Sequence, residues 1–169
     1  FDGEIKRNTI AGNGFGHAGP GRGSDYSGFA TAGIHINGAG GMDNGILLIE
    51  GNTLGKNQNG IHIEERNRGK SQTYPAYNWT TRNVHVINNQ VDLTQSVQGY
   101  GTGVVGLGQL GTVVSDVYKA GNIFEGNKYL TPNISKTQFH VKDTAVNQYR
   151  TFARWQELGY DKAGSITVV

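Results

Sequence analysis

Along the chain, one short arrangement of apolar and polar positions recurs: an apolar residue, two others, an asparagine, one more residue, then a second apolar residue. It is found at Ile5-Lys6-Arg7-Asn8-Thr9-Ile10, Ile49-Glu50-Gly51-Asn52-Thr53-Leu54, Val86-Ile87-Asn88-Asn89-Gln90-Val91 and Phe124-Glu125-Gly126-Asn127-Lys128-Tyr129. A second apolar stretch follows each copy: Gly33-Ile34-His35-Ile36, Gly60-Ile61-His62-Ile63, Gly103-Val104-Val105-Gly106 and Phe139-His140-Val141. The alternation has a period of two, so these stretches are strands. It turns Ile34, Ile36, Ile61 and Ile63 inward and predicts an outward column of His35, His62, Val105 and His140.

A repeat of strands at uneven spacing, with loops of varied length between them, predicts a solenoid whose neighbouring coils stack. The most compact coil runs from Ile46 to Gly69. Asn8, Asn52, Asn89 and Asn127 then sit at corresponding corners, where each amide can bond the next coil about 4.8 Å away; they read as a structural ladder, not as catalysts. Toward the end, Asp143-Thr144 offers an N-cap, and Val146, Tyr149, Phe152, Ala153 and Trp155 or Leu158 form an apolar stripe that stops before Gly159. The stripe predicts a helix of about four turns sealing the open end of the stack, with Trp155 packed in the seal.

These strands and asparagine corners resemble the right-handed parallel β-helix superfamily of pectate-lyase type, over roughly residues 3–143. Phe152-Ala153-Arg154-Trp155-Gln156-Glu157-Leu158-Gly159-Tyr160-Asp161 also resembles the ending of many secreted bacterial β-helix proteins. The resemblance implies an all-β fold, a right-handed parallel β-helix solenoid of about four coils with a C-terminal capping α-helix: coils in 1–143, helical cap and tail in 144–169. It implies a carbohydrate-active protein of the bacterial exterior or cell surface. The resemblance is to a fold more than to a family. The Tyr-Gly-x-Asp-Pro-His run of alginate epimerases is missing, as are the paired aspartates and Gly-His-Gly of polygalacturonases.

Composition narrows the partners. The chain has 169 residues with 27 Gly and 3 Pro, 36% hydrophobic and 17% charged, fitting a turn-rich β domain without a membrane-spanning run. A net charge of +2 is too weak a field to point to nucleic acid. The absence of cysteine removes disulfides, thiolate metal sites and cysteine nucleophiles, and suits bacterial export. The sequence opens at Phe1 with no signal peptide, and no cap precedes the first coil. Both features predict a chain that starts downstream of a natural start, or a companion chain or N-terminal segment stacked on that coil. The glycines at Gly12, Gly14 and Gly16 and over 38–41 lack the Lys-Ser/Thr and βαβ setting of a phosphate loop. No cofactor is implied; Asp43 and Asn44 offer oxygens of the kind calcium takes, at a spacing that singles out no site.

The loops at 11–30, 64–81, 95–102 and 107–119 border the histidine column and nominate that face for chemistry. Cleavage of an acidic polysaccharide by β-elimination needs a base for the proton alpha to the uronate carboxylate, an acid for the leaving oxygen and a cation on the carboxylate. His62, with His35 beside it, supplies the base; Tyr26 the acid; Arg66 or Lys70 the cation. A glycoside hydrolase would instead need two carboxylates, drawn from Asp25, Asp43, Glu64 and Glu65. Tyr74, Tyr77 and Trp79, with Arg68, could form a sugar-stacking platform, although a loop packed on itself is the plainer account of those rings. On the opposite outer face, Leu48, Ile87 and Ile123 form an apolar stripe of the kind that marks an oligomer interface. It also supports the rival expectation of a non-enzymatic spike, adhesin or filament subunit.

Overall fold

Strands three apart in the sequence lie side by side. A computed structural model describes residues 2–13, 32–37, 45–65, 80–94, 105–109, 117–142 and 147–169. The first sheet holds β1 (Gly3–Lys6), β4 (Leu47–Glu50), β7 (Val84–Ile87) and β10 (Ile123–Glu125). The second holds β2 (Thr9–Ala11), β5 (Thr53–Gly55), β8 (Gln90–Asp92), β11 (Lys128–Thr131) and β14 (Ser165–Val168). The third holds β3 (Ala32–Asn37), β6 (Asn59–Glu65), β9 (Val105–Gln109), β12 (Phe139–Lys142) and β13 (Asn147–Arg150). Among the described residues, every pairing is parallel except that of β12 with β13. The described residues are therefore mostly β, in parallel sheets, with one short helix among them, α1 (Phe152–Glu157).

Register stacks like on like. Ile5, Ile49, Val86 and Phe124 form one inward row, and Ile10, Leu54, Val91, Tyr129 and Ile166 another. Ile36, Ile63, Leu107 and Val141 form a third. These rows merge into one buried apolar cluster.

The asparagine ladder is present and has a direction. The backbone N–H and Nδ2 of Asn8 both donate to Asn52 Oδ1 (3.0 Å each), those of Asn52 to Asn89 Oδ1 (2.9 Å each), and those of Asn89 to Asn127 Oδ1 (2.9 Å each). The second Nδ2–H of each lower rung reaches back to a strand carbonyl, as Asn52 does to Ile5 O at 2.8 Å. The last rung is Asp161, whose oxygens accept from Asn127 N (3.1 Å), Asn127 Nδ2 (3.0 Å) and the Tyr129 hydroxyl (2.6 Å). A carboxylate fits there because the ladder delivers only donors to its final member. A second ladder joins Asn13 to Asn57 Oδ1 at 3.1 and 3.0 Å. The residue ahead of each such asparagine is left-handed: Arg7, Gly12, Gly51, Lys56, Asn88 and Gly126 all have positive φ. That turn is what swings the following amide inward, and it explains why glycine and asparagine crowd these corners.

The C-terminal region differs in extent from the four-turn helix expected. Residues Asn147–Arg150 are a strand, and the helix covers only six residues, starting after Thr151, whose side chain accepts from Arg154 N. The apolar stripe counted Tyr149 as a helical position, but the open edge of β12 supplies ladder partners that override that local period. Asp143 and Thr144 lie outside the described residues. The helix buries Phe152 and Trp155 against an aromatic cluster: Tyr129–Phe139 at 5.0 Å, Phe139–Phe152 at 5.2 Å, Phe124–Trp155 at 5.3 Å and Trp155–Tyr160 at 4.5 Å between ring centroids. Trp155 is thus packing at the end of the core.

The expected apolar stripe is broken up by charge. Leu48 and Ile123 share an outward row with Glu4 and His85, while Ile87 lies in the next with Lys6, Glu50 and Glu125.

Candidate functional site

Outward positions of the third sheet bring the chemistry-bearing side chains together. Parallel pairing places His35 beside His62, His62 beside Gly106, and Gly106 beside His140, with Tyr149 opposite His140 on the antiparallel strand. The column expected from sequence contained Val105 in place of Gly106. Val105 is fully buried in the core, because aligning the third copy on its Gly-apolar pattern set it one residue out of step; Val105 and Leu107 face in and glycines fall outside.

That glycine shapes the row. Residues two strands apart are separated by about 9.6 Å at the backbone, yet the rings of His62 and His140 stand 5.8 Å apart, leaning over a position with no side chain. His140 in turn stacks on Tyr149, with centroids 4.5 Å apart and an interplanar angle of 18°.

At the other end, His35 Nε2 lies 3.2 Å from Glu64 Oε2, and Asn37 Nδ2 donates to the same oxygen at 3.4 Å. The Glu64 side chain is fully buried, whereas His35 keeps 24% of its side-chain surface exposed. With Glu64 ionised, Nε2 carries the proton and the lone pair rests on Nδ1. The pair is therefore an oriented imidazole, able to accept a proton at Nδ1 while the carboxylate steadies the cation formed.

His62 departs from the expectation of an outward, solvent-facing strand position. All seven residues of β6 are buried, on both faces, and His62 is 1% exposed. Burial, then the neighbouring charges of His140 and His35, push its pKa well below the usual imidazole value, so the ring is neutral at neutral pH. Glu65 has the opposite parity from Glu64, and its carboxylate accepts from Thr81 N at 2.6 Å, while Thr81 Oγ1 donates to Glu64 O at 2.6 Å. These contacts fasten the end of β6 to the segment leading into β7.

Of the residues singled out from sequence, the structure brings His35, His62 and Glu64 together. Asp25, Tyr26, Asp43, Asn44, Arg66, Arg68, Lys70, Tyr74, Tyr77 and Trp79 lie outside the described residues. Tyr149 joins the row, and Asn37 the neighbouring one beside Glu64, without having been nominated. Asn37 could have been found by continuing the strand alternation two residues beyond His35, whereas Tyr149 was hidden by its fit to a helical stripe. Among the described residues, no three histidine or carboxylate side chains converge as a metal-ligand set. A separate cleft of about 430 Å³, lined by Tyr118, Ile123, Glu125, Leu158, Tyr160 and Lys162 among others, opens beside β10. No protein-family model, curated protein or solved structure matches the chain.

Proposed function

We propose that the chain is a right-handed parallel β-helix of about four coils, of pectate-lyase-like type. In this reading it is secreted or displayed at a bacterial surface, and it cleaves an acidic polysaccharide by β-elimination at His35 on the outer face of β3. The fold part is supported by the three-strand periodicity of the pairing and by the ladder of Asn8, Asn52, Asn89 and Asn127. The observation that carries the activity is the His35–Glu64 pair: a partly exposed imidazole held at 3.2 Å by a buried carboxylate.

In this reading His35 Nδ1 takes the proton alpha to the uronate carboxylate. The C–H electron pair forms the new C=C bond, the glycosidic C–O bond breaks, and the departing oxygen takes a proton from an acid, for which Tyr26 is the candidate. Arg66 or Lys70 neutralises the uronate carboxylate as charge builds on it. Arg68, Tyr74, Tyr77 and Trp79 contact the sugar chain. His62 is too buried to meet substrate, and its part is to hold the neighbouring rings in place. A two-carboxylate hydrolase is less well supported, since Glu64 is the one carboxylate beside the histidine row among the described residues and Glu65 faces the other way.

The burial of His62, Glu64 and His140 favours a second reading, in which the row is packing inside a non-enzymatic rod such as a spike, adhesin or filament subunit. Incubation with pectate, alginate, glycosaminoglycans and neutral glucans separates the readings: unsaturated products detected by ultraviolet absorbance indicate elimination, reducing ends alone indicate hydrolysis, and neither supports the rod. His35→Ala should lower elimination about 10²–10⁴-fold with an unchanged circular dichroism spectrum. Undiminished activity in that variant would remove His35 from the mechanism.

A further inference from the structure

The third sheet ends on a strand that breaks the parallel pattern, and that strand carries an exposed aromatic ring. Tyr149 is 40% exposed, and it is the one aromatic side chain among the large apolar groups exposed on the described residues; Ile46, Ile134, Leu158, Val168 and Val169 are aliphatic. Its ring lies nearly flat on His140. His140 is itself 3% exposed and leans over Gly106 toward His62. The phenol is also held above its usual pKa by partial burial, so it stays a neutral hydroxyl across the neutral range.

Register sets the position of this ring relative to the proposed base. His35, His62, Gly106, His140 and Tyr149 succeed one another across five neighbouring strands. Four strand spacings amount to about 19 Å. A ligand that meets both ends of the row must be an extended polymer lying across the strands, parallel to the direction in which the coils stack. A single sugar ring cannot bridge that span.

We propose that Tyr149, backed by His140, is a distal stacking subsite for one pyranose ring of a polysaccharide that reaches from there to His35, passing outside the covered positions His62, Gly106 and His140. The chemistry is that of an aromatic face against the C–H face of a sugar: the π-electron density attracts the weakly positive hydrogens, and a ring fixed in advance gives up little freedom on binding. Backing by His140 matters because a lone tyrosine at a strand edge would first have to be ordered. The subsite rests on reading this face as polysaccharide-binding, and it adds a length requirement to that reading, since the substrate must be long enough to reach from the base to the ring.

The test uses the full chain with polygalacturonate, alginate and their short oligomers, following binding by affinity electrophoresis and calorimetry. Tyr149→Ala and Tyr149→Leu should raise the apparent Kd for polymer about five- to tenfold, and Tyr149→Phe should bind as the parent does, because the ring, not the hydroxyl, makes the contact. The same alanine and leucine variants should shift the Kd of oligomers too short to reach the ring by less than about twofold. Circular dichroism and thermal midpoints establish that β13 remains in place. A parent chain that binds the polymer while Tyr149→Ala and Tyr149→Leu bind it equally well overturns the subsite and leaves the wider reading standing. A parent chain that binds no polysaccharide overturns both.

Discussion

Replacing Asn89 by alanine tests whether the ladder holds the stack together. Asn89 is fully buried and makes four side-chain bonds of 2.9 Å: Oδ1 accepts from Asn52 N and Asn52 Nδ2, while Nδ2 donates to Asn127 Oδ1 and Ile49 O. Alanine deletes all four. Asn52 Nδ2 keeps Ile5 O and Asn127 Oδ1 keeps the Asn89 N–H, but the Asn52 N–H loses its acceptor in a place water does not reach. An orphaned buried donor costs about 1–3 kcal/mol, and each of the other bonds is worth about 0.5–1.5, so the loss is ~3–7 kcal/mol. Asn8→Ala is the internal control. Asn8 is exposed and its side chain makes a single donation, to Asn52, so truncation there should cost less than about 1.5 kcal/mol. Equilibrium urea unfolding of both variants reads the difference directly, from midpoints at constant slope. If the two fall within about 1 kcal/mol of each other, the ladder is a consequence of stacking and not one of its causes.

Three further outcomes follow from the same contacts. His62 has a folded-state pKa depressed below about 6.5 while the unfolded chain protonates near that value, so its stabilising contribution is present above pH 6.5 and is lost as pH falls below it; urea midpoints should drop on acidification, with a shallower fall in His62→Gln. Gly106→Ala should destabilise by about 1–3 kcal/mol, because the new Cβ would stand 2.8 Å from His140 Cβ and against the His140 carbonyl, and ultraviolet circular dichroism of Tyr149 should report the disturbed stack. In Asp161→Asn an amide donor replaces an oxygen that accepts from both Asn127 Nδ2 and Tyr129, which should cost about 1–3 kcal/mol; pairing it with Tyr129→Phe should give a non-additive cycle of at least about 0.5 kcal/mol, and additivity would mean the hydroxyl bond contributes nothing.

Much of the sheet pattern could be read from residues alone, because apolar positions at strand period and an asparagine at a fixed offset are strong local signals. Ile49, Leu54, Ile61 and Ile63 all fall where alternation puts them. Less legible was anything set by neighbours distant in sequence. Val105 could not be placed correctly because the outward positions of its strand, Gly106 and Gly108, carry no side chain to mark that face, and the pairing of Gly106 between two histidines exists only once the strands are assembled. Tyr149 satisfied a helical stripe as well as a strand, and the exposed edge of β12 decided between them. Asp161 looked like a residue after a helix, since nothing local shows that its side chain ends a ladder running through the whole core. Likewise, the histidines looked equivalent in two identical Gly-Ile-His-Ile stretches, yet one is partly open and paired with Glu64 while the other is sealed in.

The polarity of that ladder bears on how such a chain can change its length in evolution. Each rung passes donors forward to the next, and only Asp161 receives without giving. A whole repeat duplicated or deleted between Asn52 and Asn127 would arrive with its own amide already facing the right way, so its neighbours would need no compensating change. A carboxylate in the middle of the series would instead set acceptor against acceptor. Growth by tandem copying is thus chemically silent inside the series, whereas a copy placed after Asp161 would meet a side chain with no donor to pass on.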